Sequence, residues 1–208
     1  MIAIVDYGVG NLFSLKSSFA AIGSEAVVTS DPAVLRSADR IILPGVGAFG
    51  DAAEKLRRTG LDQVVVEQAH TGKPLLGICL GMQLLLEKSF EYGEHPGLGL
   101  IPGQVRPIAE VIPADYKIPH IGWNALCFGG RTSPLFANIR EGDSVYFVHS
   151  FQAANCADDT IATAEYGAPL TAAVQRDNVF GCQFHPEKSG PVGLNILRAF
   201  CDLEVSSC

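Results

Sequence analysis

The chain has 208 residues and a formal net charge of −7, from 15 Lys and Arg against 22 Asp and Glu. Its length fits one domain or at most two small ones, and a hydrophobic fraction of 48% excludes an intrinsically disordered chain. The acidic balance argues against a general nucleic-acid-binding protein, because phosphate contacts need clustered Lys and Arg. No apolar run approaches the roughly 18 residues of a membrane span, and the segment 1–6 has no basic stretch typical of a signal peptide.

The first half of the chain alternates short apolar runs with helical patterns. Strands are predicted at 2–6, 26–29, 40–43 and 74–78, and helices at 12–22, from Pro32 onwards, and at 51–58, 61–71 and 80–90. Asp31 before Pro32 has the pattern of an N-cap followed by proline in the first turn. Alternation of this kind predicts a parallel sheet with helices on both faces.

The second half is richer in β-like runs. After a segment rich in Gly and Pro at 91–107, strands are predicted at 145–148, 161–166, 170–175 and 179–184, and a last helix at 192–203. No repeat, low-complexity tract or linker divides the chain. We therefore predict one α/β domain over 1–208, with a mostly parallel central sheet flanked by helices and extra β-strands in the second half.

The six cysteines are scattered along the chain, at Cys79, Cys127, Cys156, Cys182, Cys201 and Cys208. None forms a C-x-x-C pair, and no Cys/His cluster has the spacing of a zinc site, so no metal is expected. Scattered thiols without a secretory signal indicate a reducing compartment and predict a cytoplasmic location. Apart from Cys79, these cysteines are interpreted as small buried hydrophobic residues.

The strongest local motif is Gly77-Ile78-Cys79-Leu80-Gly81, placed where a strand should turn sharply into a helix. This is the pattern of a nucleophile elbow with Cys in place of Ser. Position at a helix N-terminus favours the thiolate. The alternative is a buried Cys packed between two glycines.

A nucleophilic Cys needs a base, and the base needs an orienting group. His185 ends a predicted strand and is followed by Pro186 and Glu187; two residues apart in extended chain, the imidazole and the carboxylate would point the same way. The strands that carry Cys79 and His185 could end at the same sheet edge. The alternative is a solvated His-Pro-Glu turn. His70 and His95 are predicted to be surface residues.

The segment Gly45–Gly50 matches G-x-G-x-x-G between a strand and a helix. A dinucleotide site would need an acid at a strand end about 20 residues later, but Glu67 lies in a helical pattern, so no cofactor is expected. The better interpretation is an oxyanion hole, in which the N–H groups of Val46 or Gly47 join that of Leu80.

These motifs lie in an order that resembles the class I (triad) glutamine amidotransferases, over Met1 to about Leu203. The segments that carry the likeness are Asp6-Tyr7-Gly8, Pro44-Gly45-Val46-Gly47-Ala48-Phe49, Gly77-Ile78-Cys79-Leu80-Gly81, Gly122-Trp123-Asn124, His149-Ser150 and His185-Pro186-Glu187-Lys188-Ser189-Gly190. The elbow and His-Pro-Glu are common to triad glutaminases. The Asp-Tyr-Gly start, the Pro-Gly-Val-Gly-Ala-Phe loop, Gly-Trp-Asn and Glu-Lys-Ser-Gly narrow the resemblance to glutaminase subunits of imidazole glycerol phosphate synthases, which act in histidine biosynthesis.

The resemblance implies hydrolysis of L-glutamine to glutamate and ammonia through a cysteine thioester. By that likeness Cys79 attacks the side-chain amide, His185 relays the proton and Glu187 orients His185. Gln83, Gly47, His149 and Ser150 match substrate-binding positions. Phe151 departs from the family, which often has tyrosine there, and this puts a hydroxyl contact at that position in doubt.

The resemblance also implies a heterodimer with a (β/α)8-barrel cyclase subunit, which uses the ammonia to make imidazole glycerol phosphate and an aminoimidazole carboxamide ribotide. Asn11, Trp123 and Lys188 match positions at or near that interface. The alternatives are core packing for Trp123 and a solvated charge for Lys188.

Two other function classes fit part of the pattern. A Cys-His-Glu peptidase on a similar sheet would need an open cleft for a polypeptide. A non-catalytic or cofactor-binding module using the Gly-rich loop would leave Cys79 unreactive.

Overall fold

The computed structural model describes residues 1–204, an α/β fold whose helices and strands alternate in the first half, as predicted. The helices are α1 Leu12–Ala21, α2 Pro32–Ser37, α3 Phe49–Arg58, α4 Leu61–His70, α5 Leu80–Leu84 and α6 Gly190–Asp202. The strands are β1 Ile2–Val5, β2 Ala26–Thr29, β3 Arg40–Leu43, β4 Leu75–Ile78, β5 Leu86–Ser89, β6 His95–Pro96, β7 Ile101–Pro107, β8 His120–Cys127, β9 Ser144–His149, β10 Phe151–Ala154, β11 Thr160–Glu165, β12 Pro169–Arg176 and β13 Val179–Cys182.

The central sheet has nine strands in the order β2-β1-β3-β4-β13-β12-β11-β8-β9. The strands from β2 to β13 pair in parallel, and those from β13 to β9 pair antiparallel. A second sheet, in the order β10-β7-β5-β6, packs beside it. The parallel part therefore comes from the first half of the chain plus β13, and this arrangement brings β13 next to β4.

Helices cover both faces of the parallel part, as predicted. On one face, Phe19 of α1 and Phe200 of α6 are fully buried in one hydrophobic cluster. On the other face, Leu35 of α2, Leu56 of α3 and Val65 of α4 belong to a second cluster. Because the strands between them are buried on both faces, they read as continuous apolar runs in the sequence. In the described chain, residues 1–204, no helix is long and apolar enough to span a membrane.

The helix predicted over 80–90 is wrong beyond its first turns. The α5 helix ends at Leu84, and β5 begins at Leu86. The carbonyl of Leu84 accepts from the N–H of Leu98, and that of Leu85 accepts from Leu100 and Ile101. Tertiary backbone pairing therefore takes the carbonyls that a longer helix would have used, and the apolar run at 84–86 fits either structure.

The cysteine prediction holds for some positions and fails at one. Cys156 and Cys182 are buried and Cys201 is partly buried, whereas Cys127 is exposed at the end of β8. Its thiol donates to the Glu141 carboxylate at 3.3 Å, so local polar contact replaces burial there. Cys208 lies outside the described residues.

Candidate active site

Cys79 lies at the turn between β4 and α5, in the middle of the parallel part of the sheet. Its φ of +55° is a backbone conformation that non-glycine residues rarely adopt. Its N–H donates to the Cys182 carbonyl at 2.7 Å. A Cβ on Gly77 would lie 2.7 Å from the Gly81 backbone, and one on Gly81 would lie 1.8 Å from the Leu43 carbonyl oxygen. The predicted elbow is therefore present, and it needs both flanking glycines.

His185 and Glu187 meet beside this elbow. The Nδ1 atom of His185 lies 2.8 Å from Glu187 Oε1, and both side chains are almost completely buried. The reason differs from the extended chain expected, because a 3₁₀ turn over Pro186–Lys188 folds the carboxylate back toward the ring. Glu187 Oε2 is buried and has no hydrogen-bond partner among residues 1–204, so His185 is the group that this carboxylate holds.

The charge environment of His185 favours its protonated form. Burial lowers its pKa, but hydrogen bonds to Cys79 and Glu187 and the negative charges of both outweigh burial and raise the pKa to about 9. The imidazole of His185 is therefore placed to carry a proton between the sulfur of Cys79 and the carboxylate of Glu187. Such an arrangement suits a base that takes a thiol proton and later returns it.

The backbone of His185 is fixed by a residue that the sequence analysis did not single out. The Ser189 hydroxyl donates to the His185 carbonyl at 2.6 Å and accepts from the Tyr146 N–H at 3.0 Å. The His185 N–H donates in turn to the Tyr146 carbonyl at 3.0 Å. These three bonds tie the turn that carries His185 to strand β9.

The Gly-rich loop between β3 and α3 is anchored at both ends. The Tyr7 hydroxyl donates to the Pro44 carbonyl at 2.7 Å, and burial, together with charge on Cys79, raises the pKa of that hydroxyl. The Glu91 carboxylate accepts from the Phe49 N–H at 2.7 Å, and burial raises its pKa. The loop residues between these anchors are the ones that approach Cys79.

The residues predicted to form an oxyanion hole are Val46, Gly47 and Leu80. Gly47 has a φ of +90°, a conformation that favours glycine, and a Cβ placed there would meet nothing within 4 Å. Leu80 is the first residue of α5, where backbone N–H groups have no partner within the helix. All three residues border the same cavity as Cys79.

That cavity has a volume of about 380 Å³ and is the size of a small-molecule site. It is lined by Val46, Gly47, Cys79, Leu80, Gln83, Glu91, Tyr92, Pro119, Val148, His149, Ser150, Phe151, His185 and Lys188. The structure therefore brings together the predicted nucleophile, base, loop and substrate-binding positions. A cavity of similar volume beside Cys127 and Cys156 contains no such set of groups.

Gln83 and His149 shape one wall of the cavity through the Phe151 carbonyl. Gln83 Nε2 donates to that oxygen at 3.2 Å, and His149 Nδ1 lies 2.8 Å from it. Burial is the main cause that lowers the pKa of His149 to about 4, so burial favours a neutral ring. The second nitrogen of His149 lies 2.9 Å from His120 Nδ1. The Phe151 side chain contacts the exposed ring of Tyr92 edge to face.

The three predicted interface residues lie outside the triad. Trp123 is 56% exposed, which excludes core packing, and its ring contacts Tyr146 edge to face. The Lys188 ammonium lies 5.9 Å from the centre of the Tyr146 ring and borders the cavity. Asn11 is partly buried at the N-cap of α1.

The Gly-rich loop lacks the acidic strand end that a dinucleotide site would need. Glu67, the acid that such a site would need at a strand end, lies in α4 and pairs with Arg36 at 3.1 Å on the surface. Among residues 1–204, no group of three or more His, Cys, Asp or Glu side chains is placed to hold a metal ion.

The family model for class I glutamine amidotransferases matches residues 3–202. The chain belongs to this family. It is 49% identical over 205 residues to the imidazole glycerol phosphate synthase subunit HisH of Wolinella succinogenes, covering 98% of this chain and 100% of that one. It is 48% identical over 206 residues to the subunit of the same name from Lacticaseibacillus casei, covering 98% and 96%.

Solved structures share the amidotransferase fold at lower sequence identity. A crystal structure described as a glutamine amidotransferase is 20% identical with a TM-score of 0.75, over 97% of this chain and 98% of that one. The PurLQS structure from Thermotoga maritima is 21% identical with a TM-score of 0.75, over 97% of each chain. These likenesses concern the fold alone.

Three side chains of this amidotransferase site were not assigned a role from the sequence. Glu91 and Ser189 fix the loop and the base, and Gln183 is fully buried with its Nε2 atom 3.7 Å from Cys79 Sγ. Gln183 lies two residues before His185, but no motif in the sequence marked its role.

Proposed function

We propose that this chain is the glutaminase subunit of an imidazole glycerol phosphate synthase, which hydrolyses L-glutamine and passes the ammonia to a cyclase subunit. The observation that carries the proposal is the buried Cys79–His185–Glu187 set, of which Cys79 and His185 border a small cavity. The names of relatives at 46–49% identity over nearly the whole chain supply the synthase and its pathway. We assign the whole chain, 1–208, to one glutaminase domain.

In the proposed reaction, Cys79 gives its thiol proton to His185 and its sulfur attacks the side-chain amide carbon of glutamine. The negative oxygen that forms is stabilised by the N–H of Leu80 with that of Val46 or Gly47. Collapse of this intermediate breaks the C–N bond, and His185 delivers the proton to the leaving ammonia. Water, deprotonated by His185, then attacks the γ-glutamyl thioester and releases glutamate, while Glu187 holds the ring throughout.

Glutamine fits the proposed site better than a polypeptide does. Gln83, Gly47, His149 and Ser150 border one cavity, and we assign them to the substrate. A cavity of about 380 Å³ suits a ligand of amino-acid size. This favours the amidotransferase reaction over peptide hydrolysis.

The cyclase partner is proposed to be a (β/α)8 barrel that docks over the mouth of the cavity. Three residues are assigned to this interface: Asn11, the exposed Trp123, and Lys188, which borders the cavity. A partner seated there would receive ammonia close to where it is formed. We also propose a cytoplasmic location, which the unpaired thiols of the described cysteines favour.

The experiment that tests this function is an ammonia-release assay with glutamine, with and without a cyclase subunit. The parent chain should release ammonia and glutamate in equal amounts, and the complex should convert the cyclase substrate. Cys79→Ala should lose roughly 10⁴-fold or more in glutamine turnover while the complex still makes product from added ammonium salt. Full glutamine turnover by Cys79→Ala would refute the proposal.

A further inference from the structure

Gln183 is a fully buried polar residue two positions before His185. The chain bends at Gln183 and Phe184, just after β13 ends at Cys182. Phe184 is buried in a hydrophobic cluster, whereas the Gln183 side chain approaches the elbow. There its Nε2 atom lies 3.7 Å from the Sγ atom of Cys79.

The orientation of the Gln183 amide is fixed by its hydrogen bond with Gln83. Gln83 Nε2 donates to the Phe151 carbonyl at 3.2 Å and to Gln183 Oε1 at 2.9 Å. A backbone carbonyl only accepts, so Gln83 must present its NH₂ group to Phe151. The same NH₂ group also donates to Gln183, which must therefore accept this hydrogen bond through its oxygen. The end of Gln183 that faces the sulfur is therefore its own NH₂ group.

We propose that Gln183 is a catalytic residue that donates a hydrogen bond to the thiolate form of Cys79. A hydrogen bond to an ionised acceptor is about twice as strong as one between neutral groups, so this donor favours the thiolate over the thiol. A carboxamide donates without gaining or losing a proton. It therefore does not compete with His185 for the thiol proton.

The place of this bond in the reaction rests on the proposed function. The sulfur is negative before it attacks glutamine and again when water displaces it from the thioester, whereas the thioester sulfur is a weak acceptor. Gln183 thus acts on the chemical steps. Gln183 is not among the described residues that line the cavity. Loss of the Gln183 amide should therefore change kcat much more than KM.

The test is the rate of Cys79 alkylation by iodoacetamide, followed by mass spectrometry of the peptide that carries Cys79. Rates are measured from about pH 6 to about pH 10, which spans the ordinary titration of a thiol. Gln183→Met removes the whole amide at similar length, and Gln183→Glu keeps an oxygen for Gln83 but puts a second oxygen against the sulfur. Gln68→Met is the control, because Gln68 is a buried glutamine that bonds Lys73 instead.

We expect both Gln183 variants to be alkylated about tenfold more slowly than the parent near neutral pH, the effect of one hydrogen bond to a charged group. Gln183→Met should reach the parent rate at high pH, and Gln68→Met should match the parent throughout. Thermal unfolding identifies the folded variants, and Gln183→Glu carries the test if Gln183→Met does not fold.

If a folded Gln183 variant were alkylated at the parent rate across the whole pH range, Gln183 would not be a hydrogen-bond donor to the Cys79 thiolate. Iodoacetamide needs no glutamine, so this outcome is separate from the proposed function. A chain that shows the alkylation effect but releases no ammonia from glutamine, with or without a cyclase, would keep the Gln183 donor and refute the glutaminase.

Discussion

At the scale of single residues, His185 and Glu187 have unequal tasks although they form one buried pair at 2.8 Å. In the proposed mechanism His185 moves the proton of the Cys79 thiol, whereas Glu187 holds the ring of His185. We expect His185→Ala to lower kcat for glutamine by about 10⁴-fold or more, and Glu187→Gln to cost roughly a hundredfold less, because triad carboxylates contribute less than the base. Steady-state kinetics on both variants measure the difference.

The control for this comparison is His70→Ala, since His70 is exposed at the end of α4. It should retain parent activity. Equal and complete loss in His185→Ala and Glu187→Gln, with both proteins folded, would mean that Glu187 has a direct chemical role.

The raised pKa of His185 also makes stability depend on pH. The folded state holds the imidazole proton more tightly than the unfolded state, whose pKa is about 6.5, because the folded pKa is about 9. The stabilisation is therefore complete below about pH 6.5 and is lost as pH rises through about 9. Urea unfolding of the parent should show this decline. His185→Gln should show a flatter profile over the same range, and equal slopes would contradict the assignment.

At the scale of elements, the elbow between β4 and α5 depends on space that only glycine leaves. A Cβ on Gly81 would lie 1.8 Å from the Leu43 carbonyl oxygen, which is backbone and cannot move aside. We expect Gly81→Ala to cost more than about 4 kcal/mol in the free energy of unfolding, in the range of severe core substitutions. Chemical denaturation measures it.

Gly142→Ala is the matched control for the elbow. Gly142 has a φ of +93° and open space where its Cβ would be, so only backbone strain of about 1–2 kcal/mol is expected. If Gly81→Ala proved no more costly than Gly142→Ala, close packing at the elbow would not be the reason for that glycine.

Sequence patterns predicted the elements that are stabilised by local interactions. They failed where hydrogen bonds to backbone far along the chain determine the structure. The parallel strands, the Asp31 cap and the helices on both faces follow from apolar runs and cap residues. Strands β6, β7, β8 and β10 were missed, and β6 and β7 lie in the Gly- and Pro-rich segment 91–107. The end of α5 was misplaced because its carbonyls bond residues 98–101.

The same limit applies to the site. Local sequence motifs marked the positions of Cys79, His185 and Glu187. Glu91 and Gln183 were not, because their partners, Phe49 and Cys79, lie 42 and 104 residues away. Hydrogen bonds of that range leave no pattern in a single sequence.

At the scale of the whole molecule, we propose that the anchored Gly-rich loop makes the active site responsive to a partner. Tyr7 holds Pro44 and Glu91 holds Phe49, so reorientation is confined to the few residues between them. Gly47 there adopts a positive φ, and as a glycine it lets its peptide planes turn at low cost. A partner that favours one orientation would complete or open the oxyanion hole.

We therefore expect the isolated chain to hydrolyse glutamine slowly and the ligand-bound cyclase complex to do so roughly 10²–10³-fold faster, the value of one oxyanion donor. The measurement is kcat for glutamine in the isolated chain, the complex and the complex with cyclase ligand. An isolated chain that already turns over at the rate of the liganded complex would exclude a partner-gated oxyanion hole.

The covalent step on Cys79 is the centre of the mechanism, and it is tested most directly by trapping the intermediate. The complex is mixed with glutamine, quenched in acid during turnover, and digested for mass spectrometry. The account predicts a γ-glutamyl group on the Cys79 peptide, with ammonia released in step, and no adduct on the Cys127 peptide although that thiol is exposed. Ammonia release with Cys79 unmodified at every quench time, or a γ-glutamyl group on another residue, would contradict it.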